Sequence, residues 1–416
     1  MGQRTVMMFA AGSRGDVQPC LALAQSLIRH GHAVRVLASA RYEQLVTSTG
    51  AGFHPVAADP SDIVGSATGQ DLLGSRQGPL AFVRTMDKVL RPHVENLLDE
   101  AFTCASGADL VLAPALGLFG VHLNQRLGVP HAVVHFQPGQ PTRAFPHPFV
   151  PAARRLGGLG NRISYDIVDT GTWLLSRRHI NRWRLRRHGL PPLPVLSPLR
   201  ATRRSTVLCA FSPTVVARPS DWGPHVHVTG FWDLAQPDWQ PPRRLSDFLL
   251  AGPPPVYVGF GSMRSGDPQR TDRSVRTALR RAGLRGVLLG DPSTSEDDML
   301  VLADTSHDWL FPRMAAVVHH GGAGTTCAAL RAGVPSVVCP FFGDQPYWAA
   351  RVHELGAGPP PLPARALTAD ALTERLKTVT KDAAYLESAR RVAGALRAED
   401  GADRAHDVLR HTFALD

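Results

Sequence analysis

"VVHHGGAGTT", Val317 to Thr326, places two valines and two histidines ahead of three glycines and two threonines. The valines read as the end of a buried strand, the glycines as a turn, and the "TTCAALRAG" that follows as a helix start. Strand, glycine turn and helix form the repeating unit of a parallel α/β sheet. The same junction collects free backbone amides and the positive end of a helix dipole, so it suits an anion. No lysine or arginine is present. An anion held here is gripped by the main chain of Gly322, Ala323, Gly324 and Thr325, by the Thr325 or Thr326 hydroxyl, and by a histidine. Neighbouring side chains on a strand point to opposite faces. His320, next to the turn, is therefore the candidate contact, and His319 is read as packed.

Two familiar phosphate loops are excluded. A Walker loop needs GK[ST] after its glycines, and a dinucleotide fingerprint needs a third glycine or alanine where Cys327 stands. A glycine turn could also serve only close strand–helix packing, so its neighbours in sequence decide. In "PFFGDQPYWAARV", Asp344 and Gln345 fall in the loop after the next strand. A carboxylate beside a carboxamide suits vicinal sugar hydroxyls, one accepting only and the other both donating and accepting. Upstream, "HDWLFPRM" offers Trp309 as a wall for a nucleobase. Base wall, diphosphate turn and sugar clamp thus follow one another along the chain.

Outward from this core, two alternating series are legible. "TVMMFAAG", "AVRVLAS", "ADLVLAPA" and "HAVVHF" are strands of the first 135 residues, with "QPCLALAQSLIRHGH" as a helix between the first two. After the proline-rich "LAQPDWQPPRRL" (234–245) come "PPVYVGFGSM", "RGVLLGD", the glycine turn and "VPSVVCPFFGDQ". The fold class expected is α/β, with two doubly wound Rossmann-like domains facing a central cleft and ligands at the carboxyl ends of the strands. The Pro-, Arg- and Gly-rich stretch 138–200 is read as excursions over the first domain, with one basic helical segment.

Composition bounds the function. At 416 residues, with 44% hydrophobic and 19% charged residues, the chain is a two-domain globular protein rather than a disordered one. The net charge of +10, nearly all arginine, attracts anionic ligands without choosing among them. Five scattered cysteines with no CxxC pair argue against a disulfide framework or zinc site and fit a reducing cytoplasm. "TVMMFAAG" imitates a secretory signal but lacks a cleavage site, and is read as a buried strand. No apolar run reaches the roughly 18 residues that span a bilayer.

"HDWLFPRMAAVVHHGGAGTTCAALRAGVPSVVCPFFGDQPYWAARV" resembles the donor-site signature of family 1 glycosyltransferases of GT-B fold. The similarity is to the bacterial branch related to sterol glucosyltransferases and glycopeptide-antibiotic glycosyltransferases. It extends through "AAGSRGDVQP", "FQPGQPTRAFP", "GGLGNRISY", "DWGPHVHVTGFW", "PPPVYVGFGSM" and "RAEDGADRA", nearly the whole chain. The resemblance implies an acceptor-binding domain at 1–235, a donor-binding domain at 245–395, and a C-terminal helix at 396–416 that packs back on the first. It assigns Asp16 of the SRGD turn as general base and places Ser13 near the diphosphate or acceptor. Ser262, His320, Gly322, Ala323, Gly324 and Thr325 would hold the nucleoside diphosphate, Asp344 and Gln345 the sugar, and Trp309 the nucleobase. One departure stands out: relatives of the sterol type carry a GWGG-like loop where this chain has Gly290 and Asp291 and no tryptophan.

The chemistry expected is an in-line, inverting transfer of a hexose, glucose-like by the Asp344/Gln345 pair, from a UDP- or dTDP-sugar to a hydroxyl of a small hydrophobic or natural-product acceptor. No cofactor or essential metal is implied. Partners are the nucleotide-sugar and the acceptor, with no nucleic acid, in the cytoplasm. Competing readings are a GT-B epimerase or hydrolase without acceptor, which the long 138–200 segment opposes, and a non-catalytic nucleotide-sugar binding protein. At residue level, Asp16 is alternatively the N-cap of a helix beginning near Val17. His135 and Gln137, ending a first-domain strand, are candidate acceptor contacts. "SRRHINRWRLRRHG" is read as a solvated basic helix in preference to a membrane-contacting one, and His225 with His227 as a metal pair is disfavoured for want of further ligands.

Overall fold

The computed structural model describes residues 2–57, 93–115, 118–151, 156–234, 239–261 and 268–415. Two compact units divide the chain: unit 1 is Met1–Leu234 together with Asp400–Asp416, and unit 2 is Ala235–Glu399.

Unit 1 holds a seven-stranded sheet of β1 (Thr5–Phe9), β2 (Ala33–Ser39), β3 (Gly52–Val56), β4 (Leu110–Pro114), β5 (His131–His135), β6 (Thr206–Cys209) and β7 (Val226–Val228). The order is β3-β2-β1-β4-β5-β6-β7, with every pairing parallel. Helices cover both faces of such a sheet, so a central strand is apolar throughout rather than alternating. β1 is the example: Val6, Met7 and Met8 are fully buried, Val6 and Met8 in one core cluster and Met7 in the other.

Unit 2 repeats the scheme with β8 (Val256–Gly259), β9 (Gly286–Leu289), β10 (Met299–Leu302), β11 (Ala316–His319) and β12 (Ser336–Val338). Their order is β10-β9-β8-β11-β12, again all parallel. In both sheets strand order reverses beside the first strand, between β1 and β4 and between β8 and β11. Chain connections diverge there and open a crevice at the carboxyl ends of the strands.

Two elements differ from the sequence reading. The first helix begins at Arg14, not near Val17, and Ser13 is its N-cap. Pro19 reads as a first-turn residue, yet it lies inside the helix Arg14–Arg29. Asp16 consequently occupies the third helical position. The basic segment is the last part of a 32-residue helix, Gly157–His188, and it is not simply solvated. Trp183 and Arg184 are buried, with the Trp183 indole donating to Asp99 at 2.7 Å and Arg184 Nε donating to the Pro191 carbonyl at 3.0 Å.

The last helix, Gly401–Phe413, belongs to unit 1. Asp400 caps it through the Asp403 amide at 3.2 Å, and Asp403 accepts from Ser26 and, at 2.8 Å, from Arg29 of the first helix. Ala405 and Leu409 lie in the same apolar cluster as Leu23 and Leu27.

Candidate functional site

β11 is buried from end to end and stops where the glycines begin. Gly321 takes a left-handed φ of +90°, and a β-carbon there would meet the Gln345 carbonyl oxygen at 3.0 Å and Val338 Cγ1 at 2.8 Å. Only glycine fits both the conformation and the space. The Gly321 amide donates to Nδ1 of His319 at 3.1 Å, which puts the His319 proton on Nε2. His319 is completely buried, and burial, then His320 and His307, pull its pKa down to about 3. It is a neutral strut under the turn.

Gly322 is the N-cap of the helix Ala323–Ala332, and the first helical bond runs from the Thr326 amide to the Gly322 carbonyl at 2.9 Å. The amides of Ala323, Gly324 and Thr325 precede that bond and have no acceptor within the helix. Gly324 is exposed, with open space where a side chain would stand. No acidic residue occupies the first turn. An anion can therefore descend on three amides and the helix dipole. His320 borders this ground: its ring lies between Gly261, two residues past β8, and Gly322. Burial lowers its pKa to about 4 while the nearby Gly259 carbonyl works the other way. The ring is neutral at pH 7 and acts as a hydrogen-bonding group, not a cation. Thr326 is fully buried, and its Oγ1 is without a hydrogen-bond partner among the described residues.

The Asp344–Gln345 pair reaches the same corner, since Gln345 packs on Gly321. Asp344 stands at the N-cap position of the helix Gln345–Glu354 without a side-chain cap bond, and its Oδ2 accepts the Trp348 indole proton at 2.8 Å. The Gln345 carboxamide oxygen accepts the Phe341 and Phe342 amides at 2.8 and 3.3 Å. Each side chain is thus oriented by one polar atom. For Gln345 the amide nitrogen is what remains to donate to a hydroxyl.

Trp309, on the short helix before β11, carries Arg313 over its ring at 4.0 Å from the centroid, with Trp239 tilted against it at 5.5 Å. A cavity of about 170 Å³ opens beside β8 and β9, with Phe260, Gly261, Thr271, Leu289 and Phe341 in its lining. Phe260 and Phe341, 5.7 Å apart between centroids, were not singled out in the sequence. The available signal was an aromatic residue directly after β8 and a second one three residues after β12. Ser262 lies outside the described residues. Behind the cavity, Arg276 is held by Asp272 at 2.7 Å, Glu296 at 3.0 Å and Thr294 at 3.1 Å, bracing the loop that begins with Gly290 and Asp291.

In unit 1, Ser13 and Asp16 form a capping box. The Ser13 amide and hydroxyl both donate to Asp16 Oδ2, at 2.8 and 2.9 Å. Gly12 makes room for that carboxylate, since a β-carbon there would lie 2.5 Å from Oδ2. His135 ends β5 on the same sheet edge, two strand spacings or roughly 10 Å from β1. Burial, then His147, lower its pKa to about 4. The Gln137 carbonyl accepts the Gly139 amide at 2.7 Å in a tight turn beneath it. Among the described residues no group of three or more His, Cys, Asp or Glu is placed to hold a metal, His225 and His227 included, and the five cysteines are buried and unpaired. No described helix is long and apolar enough to cross a membrane.

Comparison with known proteins adds independent findings. Residues 6–146 match the glycosyltransferase family 28 N-terminal domain, and residues 305–404 match the C-terminal domain of erythromycin biosynthesis protein CIII-like proteins. The chain is 35% identical over 411 residues to the sterol 3-beta-glucosyltransferase UGT80A2 of Arabidopsis thaliana, covering 95% of this chain and 63% of that protein. It is 34% identical to UGT80B1 of the same plant, covering 97% and 67%. It therefore spans less than two thirds of UGT80A2. Among solved structures, the glycotransferase of kitacinnamycin superposes with a TM-score of 0.69 at 20% identity over 99% of this chain and 98% of the other. SsfS6 from Streptomyces sp. SF2575, complexed with thymidine diphosphate, gives 0.63 at 20% over 98% and 100%.

Proposed function

The chain belongs to family 1 of the GT-B glycosyltransferases, and from that premise we propose that it transfers a glucose-like hexose, with inversion, from a UDP- or dTDP-sugar to a hydroxyl of a small hydrophobic, polycyclic acceptor. One observation carries the reading: three amides with no acceptor among the described residues open the helix Ala323–Ala332, at an exposed glycine and beside a neutral histidine. They suit the charge that builds on a departing diphosphate. Oriented donors of this kind stabilise such charge by about 3 kcal/mol each in related oxyanion sites.

In the proposed reaction unit 2 holds the donor. The amides of Ala323, Gly324 and Thr325 and the His320 ring receive the diphosphate, and Asp344 and Gln345 hold the sugar hydroxyls. Asp16 of unit 1 takes the acceptor proton. Ser13 supports this role, because its two donors fix the carboxylate in one rotamer. A positioned base contributes ~10²–10⁴-fold in rate. The names of the 35% and 34% identical relatives favour glucose and a sterol-like acceptor. The thymidine diphosphate bound to a structural neighbour keeps dTDP-sugars in play.

The test is turnover of UDP-glucose and dTDP-glucose by the purified protein, with and without a panel of polycyclic alcohols, read by mass spectrometry and by the anomeric configuration of the product. An acceptor-dependent β-glycoside supports the proposal. Donor hydrolysis or epimerisation at the same rate without acceptor refutes it.

A further inference from the structure

The helix Gly157–His188 is apolar on two faces. One packs Trp173, Ile180 and Trp183 into the core. The other carries Leu156, Leu159, Ile163, Ile167 and Leu174 at exposures of 44 to 75%, and Leu185 at 61%. At 100° per residue these six fall within an arc of about 80°, and the stretch from Leu156 to Leu174 runs about 27 Å along the axis. A row of large aliphatic side chains this long is more than scattered surface exposure and marks a contact surface.

What continues the row identifies the partner. Beyond Leu174, Arg178, Arg182 and Arg186 continue toward the helix C-terminus at four-residue intervals, with Leu185 among them, and form no ion pair among the described residues. The acidic residues on this helix, Asp166 and Asp169, are already paired with Arg203, at 2.7 Å in the case of Asp166. A second copy of the chain docking through the same helix would bring one set of arginines toward another, with both acidic residues of the helix already paired to Arg203. Anionic lipid headgroups meet it directly, while the aliphatic row enters the acyl boundary. A helix whose aliphatic face is continued by arginines at one end lies in the plane of such an interface.

We propose that the exposed face of the helix Gly157–His188 docks unit 1 on an anionic lipid surface, with Leu156, Leu159, Ile163, Ile167 and Leu174 in the acyl boundary and Arg178, Arg182 and Arg186 on the headgroups. The proposal is independent of the transfer reaction, because none of these residues belongs to the donor turn or to the Ser13–Asp16 box.

The experiment is vesicle flotation of the full chain, using phosphatidylcholine alone and phosphatidylcholine mixed with phosphatidylglycerol. Binding is expected to the mixed vesicles only. It should fall at least about tenfold in Ile163→Ser/Ile167→Ser and fall with salt, as it does in Arg178→Gln/Arg182→Gln/Arg186→Gln. Leu159→Gln/Leu174→Gln repeats the test if the first pair fails to give a native circular dichroism spectrum. Three results overturn the proposal: no binding to either vesicle, binding indifferent to both aliphatic pairs, or a dimer in light scattering that those pairs split while vesicles stay unbound.

Discussion

His320 Nε2 occupies the space that a side chain on residue 322 would need: a β-carbon on Gly322 would lie 2.6 Å away from it. The histidine and the helix N-cap are built around each other. Gly322→Ala must push the ring off the turn or tilt the first helical amides. We expect the donor KM to rise at least about tenfold, consistent with losing one charge-assisted contact, with a melting temperature changed by only a few degrees. Isothermal titration with UDP and steady-state kinetics measure it. Unchanged UDP affinity would remove His320 from the anion site.

Asp16→Asn keeps the shape of the capping box but removes the base. Transfer should fall ~10²–10⁴-fold, while donor binding stays within about twofold. Ser13→Ala deletes the hydroxyl donor at 2.9 Å and leaves the amide donor at 2.8 Å. A smaller rate loss is expected, with a cap penalty of about 1 kcal/mol read from a denaturant melt. Full transfer in Asp16→Asn would count decisively against the base assignment.

Trp348→Phe preserves a buried ring and removes the indole proton that holds Asp344 Oδ2 at 2.8 Å. Discrimination between sugar donors should weaken, seen as a smaller ratio of kcat/KM for UDP-glucose over UDP-galactose. Gln345→Ala is expected to be worse for the fold, because it orphans the Phe341 and Phe342 amides. A donor left unmatched costs about 1–3 kcal/mol when fully buried; these two are part-buried, so the urea midpoint should drop by the lower end of that range.

Buried histidines shape the acid limb of stability, four of them most strongly. Burial lowers His135, His147 and His320 to about 4 and His319 to about 3, from an ordinary value of 6.5. Below pH 6.5 the unfolded chain takes up protons that the folded rings refuse. Stability is therefore intact above pH 6.5 and declines as pH falls toward 4. Thermal melts from pH 7.5 to 4.5 should show that slope. His147→Asn, which can keep an acceptor for the Phe149 amide at the place of Nδ1, should flatten part of it. Between pH 5.5 and 9 no break in kcat/KM should trace to His320.

The strand–glycine–helix junction at 317–326 is local and was therefore readable: it depends on backbone chemistry that three glycines announce, and so do the amides that open the helix Ala323–Ala332. The start of the first helix was less readable. Pro19 and Gln18 suggest a later beginning, and only the reciprocal hydrogen bonds of Ser13 and Asp16 move it to Arg14. The basic run after Ser176 looked solvated because arginine dominates it, yet Trp183 and Arg184 face inward and bond Asp99 and Pro191.

The order of apolar runs and turns, written in the sequence alone, determined that two parallel α/β units form and that an anion can sit on the second of them. Periodicity and glycine placement act over a few residues, and a single chain states them without help. Tertiary structure decided which polar atoms stay available. Gln345 gives its oxygen to the 341–342 loop, Trp309 takes Arg313 over its ring with Trp239 beside it, and one face of the helix Gly157–His188 is left to solvent. Those outcomes depend on which distant groups meet, and long-range contact is a property of the packed chain that no local spacing encodes.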